Sequence, residues 1–206
     1  MIIDKINEYL SKKDLTIDEA LCYEVGRLAQ WSFKRQFCES NERDSKGKIY
    51  LSSCGKCPRQ LAYGFHGISK DVKDIDSRGK LVFGAGDMTE LTLLSLARLA
   101  GCAVSAVGLQ QIKCELKINE YVLTGHPDGI LYQNGKQYLI ECKSMSSYSF
   151  DRFQKGDIDE SYESQINAYL EALGLTECVL IGQNKDNGVL HEKFLQKDPK
   201  VVNELK

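Results

Sequence analysis

The sequence predicts an α/β or α+β domain, a mixed central sheet with helices covering it. Three observations carry this. Apolar residues recur at helical spacing up to about residue 100, alternate at strand spacing to about 145, turn helical again over 160–173 and end in strands. Turn-forming residues stand at the switches, among them Gly101, Asn134-Gly135, Gly174 and Asn187-Gly188. The chain has 206 residues, 42% hydrophobic and 27% charged, which suits one domain with a core large enough to need no disulfide staples.

The elements follow in order. Residues 2–10 form a short amphipathic helix. Residues 17–37 carry Leu21, Val25, Leu28, Trp31 and Phe33 at helical spacing, a second helix with an apolar face. The polar stretch 38–47 reads as a loop. Ser52 and Ser53 stand where a cap belongs for a helix running through Arg59 to Phe65 and ended by Gly67. Residues 71–80 are charged and read as exposed. A strong helix spans about 83–100, stopped by Gly101. Four strands are then expected, in CAVSAVGL, QIKCELKI, YVLTGHPDGILY and KQYLIECKSM, turned at Asn119-Glu120 and at 133–135, where Asn-Gly is a hairpin signal. Residues 160–173 form a helix, and CVLIGQN and GVLHEKFL form two more strands. Asp198-Pro199 opens a last helix that ends with the chain seven residues later, which leaves room for a longer natural protein. The first 50 residues read as an N-terminal helical region and 51–206 as the core of a single compact domain.

No apolar run approaches the roughly 20 residues that span a bilayer, and no basic leader precedes an apolar stretch. A cytoplasmic, reducing compartment is expected, where the eight cysteines stay thiols or bind metal. The net charge of -2 does not advertise a nucleic-acid binder. The balance is local. Over 30–60, Lys34, Arg35, Arg43, Lys46, Lys48, Lys56 and Arg59 face only Glu39, Glu42 and Asp44, a surplus of four that can track phosphates or simply be solvated surface.

The chemistry concentrates in TGHPDGILYQNGKQYLIECK, residues 124–143. Asp128 lies in one strand and Glu141 and Lys143 in the next. Strand alternation puts Glu141 and Lys143 on one face and turns Cys142 into the layer behind. His126 shares the face of Asp128 by the same rule. If the strands pair, two carboxylates and an ammonium converge. Mg²⁺ prefers carboxylate and water oxygens. A metal on Asp128 and Glu141, within reach of the Cys142 carbonyl, acidifies water and polarises a phosphoryl group. Lys143 is placed to orient that water or to offset developing charge. These are the requirements of phosphodiester hydrolysis.

An aspartate in one strand followed by Glu-x-Lys in the next resembles the PD-(D/E)xK nuclease superfamily. The match is Pro127-Asp128 with Glu141-Cys142-Lys143. GDMTELTLL, GHPDG and QINAY resemble, in order, the three motifs of its RecB-like branch, which includes phage-type exonucleases and CRISPR-adaptation nucleases. The resemblance covers roughly residues 52–195 and implies a restriction-endonuclease-like core. It implies one or two Mg²⁺ or Mn²⁺ ions held by Glu90, Asp128 and Glu141. Gln165 and Tyr169, four apart on one helix face, would look toward the site and the DNA backbone. SSCGKCPRQLAY resembles a Cys-Pro-Arg helix of phage-type members, so that Arg59, with Lys56 beside it, contacts DNA or pairs with a local carboxylate. The implied activity is a metal-dependent deoxyribonuclease, an exonuclease on DNA ends in recombination, repair or replication. A structure-specific endonuclease of junction-resolvase type and a non-catalytic DNA-binding module with a cysteine metal site are the alternatives. DNA is the implied partner, no membrane is, and a homo-oligomer or a recombination or replication protein is compatible.

Cys38, Cys54 and Cys57 could hold zinc or an iron–sulfur cluster. Some RecB-like relatives carry such a cluster on one cysteine before the core and three after the Gln-x-x-x-Tyr helix. Here only Cys178 follows that helix. The competing reading packs Cys57 in the core with Cys54 at a helix start. Cys22, Cys102, Cys114, Cys142 and Cys178 read as core. His126 assists at the metal, touches DNA or is structural. His66 and His191 read as incidental. Tyr148, Phe150 and Phe153 stack on bases, face the core or form a lid.

Overall fold

In a computed structural model of the chain, residues 1–38, 46–68 and 76–205 are described. Residues 39–45 of the expected loop, with Arg43, and 71–75 of the charged run lie outside the described residues; of the rest of that run, Asp76 to Arg78 are exposed as expected.

Helix α1 (Ile2–Leu10) and helix α2 (Glu19–Phe37) open the chain. Asp18 caps α2 by accepting from the N–H groups of Ala20 (2.8 Å) and Leu21 (3.4 Å). Strand β1 (Ile49–Tyr50) follows, then helix α3 (Pro58–Phe65). Ser52 and Ser53 do not cap α3 as expected. They sit in a short 3-10 turn, and α3 starts with Pro58 in its first turn, where the missing N–H costs nothing. Helix α4 (Ser77–Leu99) begins six residues before the predicted start, because Asp76 supplies the cap through Gly79 N–H (2.7 Å).

The strand run divides differently from the prediction. Strand β2 (Ala103–Ser105) is only the front of CAVSAVGL, since Ala106 takes a left-handed φ of 58° and breaks the ladder. Strands β3 (Cys114–Ile118) and β4 (Tyr121–Gly125) follow, then β5 (Gly129–Gln133) and β6 (Lys136–Met145). YVLTGHPDGILY is thus two strands in two sheets. The break falls at His126-Pro127, where proline can donate nothing to a ladder. Asn134 and Gly135, both at positive φ, close the β5–β6 hairpin as expected. Helix α5 (Ser147–Gln154), helix α6 (Glu160–Leu173), strands β7 (Glu177–Asn184) and β8 (Leu190–Gln196), and helix α7 (Pro199–Leu205) complete the chain.

The main sheet runs β2-β5-β6-β7-β8, with β6 and β7 parallel and the other pairs antiparallel; a small sheet runs β1-β4-β3. The architecture is therefore the expected mixed sheet flanked by helices. Strand β7 is the most enclosed, with Cys178, Val179, Leu180 and Ile181 all at zero exposure, and its sequence is accordingly a continuous apolar run. Two cores lie on opposite faces. One joins Ile140, Cys142, Val179 and Ile181 to Ile2, Ile3 and Ile6 of α1 and Leu93, Leu94 and Ala97 of α4. The other joins Leu139, Cys178 and Leu180 to Phe150 and Phe153 of α5, Ile166, Tyr169 and Leu170 of α6, and Leu116 and Leu123 of the small sheet. Each fully buried Leu or Ile contributes about 1.5–3 kcal/mol.

Some expected core residues are not core. Trp31 and Phe33 on α2 keep 42% and 63% exposure and Cys22 is exposed, because α2 packs mainly on α4 and buries the side that carries Leu21, Leu28, Ser32 and Gln36. Phe150 and Phe153 are core on α5, so stacking on bases falls to neither; Tyr148 is exposed.

Candidate active site

The hairpin register builds the site. Gly129 pairs with Ile140, so Asp128, one residue ahead of β5, meets Glu141 of β6. The Asp128 carboxylate accepts from the Cys142 N–H at 2.8 Å, which ties the turn before β5 to the neighbouring strand. Glu141 is 1% exposed. Its Oε1 accepts from Lys143 Nζ at 2.5 Å and from Gln165 Nε2 at 2.7 Å. The Gln165 Oε1 accepts in turn from Lys143 at 3.4 Å. Alternation thus holds on β6: Glu141 and Lys143 share one face, and the Cys142 side chain lies in the opposite core.

Glu90 reaches the cluster from α4, with its Oε1 accepting from Gln111 Nε2 at 3.3 Å. Burial, then the charges of Glu141 and Asp87, push the Glu90 carboxyl up to about 7, against the pull of Lys143 and Arg35. Asp128 is raised too, by burial first and then by Glu141 and Glu90. Burial works against the Lys143 ammonium, but Glu141 and Asp128 overcome it and hold it firmly protonated. Three carboxylates therefore interact around one ammonium.

Whether these residues fit a divalent cation is tested by the atoms themselves. Glu141 Oε2 is buried with no hydrogen-bond partner among the described residues, a costly state for a carboxylate oxygen. After burial, Glu141 is the first charge to raise both Asp128 and Glu90, so negative charge crowds the same place. A cation relieves both. Among the described residues no three His, Cys, Asp or Glu side chains stand close enough together to hold a metal ion between them. A hard cation that keeps several waters needs only one or two carboxylates, so the donor set fits.

Other expectations fare variously. Gln165 meets the acidic cluster. Tyr169 does not face a DNA backbone: it is 2% exposed, and its hydroxyl donates to the His126 carbonyl at 3.1 Å. A Cβ on Gly125 would stand 2.7 Å from the Tyr169 ring, so the ring packs flush under the chain that leads to Asp128. The His126 side chain is exposed; face-sharing with Asp128 by alternation does not apply, because the strand breaks between them. Lys56 and Arg59 are exposed at the start of α3. The loop before them is pressed on α6: Gly55 has φ +82°, and a Cβ there would lie 2.8 Å from Ser161 Cα and 2.9 Å from Ser164 Cβ. Cys38, Cys54 and Cys57 form no metal group. Cys54 is buried, with its thiol pushed up to about 11 by burial, whereas Cys57 and Cys38 are exposed, the reverse of the expected packing for the CxxC pair.

Three supporting residues were not singled out in the sequence. Asp87 gathers Ser32 Oγ (2.8 Å), Arg35 (2.5 Å) and Gln36 (2.9 Å) on one oxygen. It lies three residues before Glu90 on one helix face, a spacing that could have revealed it. Tyr162, three before Gln165, places its ring 5.2 Å from Lys143 Nζ. Gln111 follows a short irregular turn, and no local signal marks it.

No family model and no curated protein matches the chain. Solved structures do. The chain is similar to the crystal structure of SSO0001, with TM-score 0.55 and 17% identity over 86% of this chain and 80% of that one. It is similar to an alkaline exonuclease, LHK-Exo, from Laribacter hongkongensis, with TM-score 0.50 and 16% identity over 85% of this chain and 86% of that one. It is likewise similar to LHK-Exo in complex with dAMP, with TM-score 0.51 and 16% identity over 78% and 83%. At these identities the likeness is one of fold, and the fold is that of the exonuclease.

Proposed function

We propose that this chain, which has the fold of an alkaline exonuclease, is a metal-dependent deoxyribonuclease of the PD-(D/E)xK kind. One observation carries the reading most: Glu141 is buried beside Asp128 with one oxygen held by Lys143 and Gln165 and the other without a partner among the described residues. In this reading Asp128, Glu141 and Glu90, with the Cys142 carbonyl, hold Mg²⁺ or Mn²⁺. Such a cation supplies an acidified water and neutralises charge on the scissile phosphate. Lys143 is the group that positions the attacking water and offsets the developing negative charge. Gln165 fixes the free rotation of the Glu141 carboxylate. Tyr169 acts through the backbone by bracing the His126 carbonyl ahead of Asp128. Lys56, on the loop that abuts α6, and Arg59, in the first turn of α3, supply cations for the phosphates of the strand, and the exposed His126 adds a further contact to DNA.

The exonuclease form, acting on DNA ends in recombination, repair or replication, is favoured over an endonuclease by the likeness to LHK-Exo. The test is cleavage of end-labelled linear and covalently closed circular DNA with Mg²⁺ or Mn²⁺, an EDTA control and a Lys143→Ala variant checked for folding. Metal-dependent loss of linear DNA only, absent in the variant, is expected. Cutting of circles would replace the exonuclease with an endonuclease. No cleavage by folded wild-type protein would overturn the enzyme reading in favour of a binding module.

A further inference from the structure

The proposed nuclease site does not end at Glu90. Beyond it, between α2, α4 and the turn at 107–111, lies an open cleft of about 620 Å³, counting the part that opens to solvent. Its walls combine an apolar part, with Val25, Leu28, Leu91 and Leu94, and a polar rim that includes Arg35, Arg98 and Gln111. Trp31, the only tryptophan in the chain, stands on its rim with 42% of its surface exposed. The two guanidiniums that line it are already paired: Arg35 with Asp87 at 2.5 Å and Arg98 with Glu24 at 2.9 Å. Arg35 also lies 4.6 Å from the Trp31 ring centroid.

This lining selects among the parts of a DNA strand. A phosphate would find both guanidiniums already neutralised by a carboxylate, and it would face Glu90 and Asp87. A sugar offers little to apolar walls. A nucleobase is neutral, flat and largely apolar on its faces, and it stacks on aromatic and guanidinium planes. The Gln111 amide, hydrogen-bonded to Glu90 where cleft and acidic cluster meet, offers donor and acceptor atoms to a base edge. Glu90 borders both sites, so a strand whose phosphate sits at the carboxylates has a base within reach of the cleft.

We infer that the α2–α4 cleft is a base subsite, which takes one unstacked nucleobase of the strand being cut and thereby sets the register of cleavage. The inference rests on the nuclease reading. It gives Trp31, Val25, Leu91 and Ser95 a positioning role through substrate and leaves the chemistry to the carboxylates.

The experiment is a scan of single-stranded oligonucleotides, each with one abasic nucleotide at a successive position. The cuts are mapped and kcat/KM is measured for wild type and for two cleft-filling variants from opposite walls, Ser95→Phe and Val25→Phe. For wild type, one position relative to the cut should cost about tenfold in kcat/KM when its base is missing, the size expected of one stacked base. In both variants that position-specific penalty should vanish, while intact DNA is cut about tenfold less efficiently through KM. In parallel, Trp31 fluorescence is titrated with the intact oligonucleotide in Ca²⁺; saturable quenching in wild type, lost in both variants, is expected. If DNA is cleaved but no position shows the penalty, or the penalty persists in both filled variants, the base subsite is wrong and the nuclease reading stands. If nothing is cleaved, the nuclease reading fails. The fluorescence then decides: quenching abolished by both fillings upholds a base cleft, and its absence overturns it.

Discussion

Replacing Lys143 with alanine removes the only ammonium among the described residues that touches the buried Glu141 carboxylate. The side chains are 19% and 2% exposed, so water cannot take over the lost partner. Breaking a buried pair from one side costs about 3–5 kcal/mol, because the remaining charge is left uncompensated. Gln165 still donates to Glu141 Oε1, which places the expected loss near the lower end, about 3 kcal/mol. For a chain of this size that is a fall in Tm of roughly 6–12 °C. A divalent cation on the unpartnered Glu141 oxygen would supply the missing positive charge, and removing Lys143 also removes a competing one. The variant should therefore be stabilised more by Mn²⁺ than wild type is, and the gap between them should shrink. The assay is thermal unfolding followed by circular dichroism, in EDTA and in millimolar Mn²⁺, for wild type, Lys143→Ala, Glu141→Gln and the double variant. In EDTA the double variant should recover part of the single-variant loss, since no stranded charge remains. A loss below about 1 kcal/mol in EDTA, a gap unchanged by Mn²⁺, or strictly additive single losses would refute a buried pair that a cation can replace.

Three further outcomes are expected. Tyr169→Phe removes the donor to the His126 carbonyl and should cost about 1 kcal/mol in urea unfolding, with kcat falling more than KM rises; unchanged kcat would show that the hydroxyl does not brace the turn before Asp128. Gly55→Ala forces a Cβ against Ser161 backbone at a φ that L-residues resist, so stability should fall by about 1–3 kcal/mol, and weaker DNA binding is expected as the Lys56–Arg59 loop lifts off α6; a variant as stable as wild type would contradict that packing. Glu192 of β8 accepts from the Ile2 N–H at 3.1 Å and anchors α1, yet burial raises its carboxyl above 4.5, with the Ile2 and Ile3 N–H groups only partly opposing. A folded-state value above the unfolded one gives stability that is present below pH 4.5 and lost as pH rises through the folded value. Wild type should therefore lose stability relative to Glu192→Gln between pH 4.5 and neutrality, read from urea midpoints; a constant difference across that range would remove Glu192 as the cause.

Local chemistry made much of this protein legible in its sequence. The α6 helix could be placed over 160–173 because Gly174 ends it in a left-handed turn, and the structure adds the Asp159 cap at its start. The β5–β6 hairpin was readable from Asn134-Gly135, and with it the meeting of Asp128 with Glu141 and Lys143, since strand period and hairpin register are local properties. What depended on neighbours was not readable. The helical spacing of Trp31 and Phe33 promised a core face, but only packing decides how many sides of α2 are covered. The period of YVLTGHPDGILY could not tell that Pro127 divides it between two sheets, which moved His126 off the face of Asp128. Tyr169 shares a helix with Gln165, yet it serves the backbone beneath the site, because the ring fills the space left by Gly125. The cleft beside Glu90 brings together residues 25–35, 87–98 and 107–111, segments far apart in the chain, so it exists only once α2 has docked on α4.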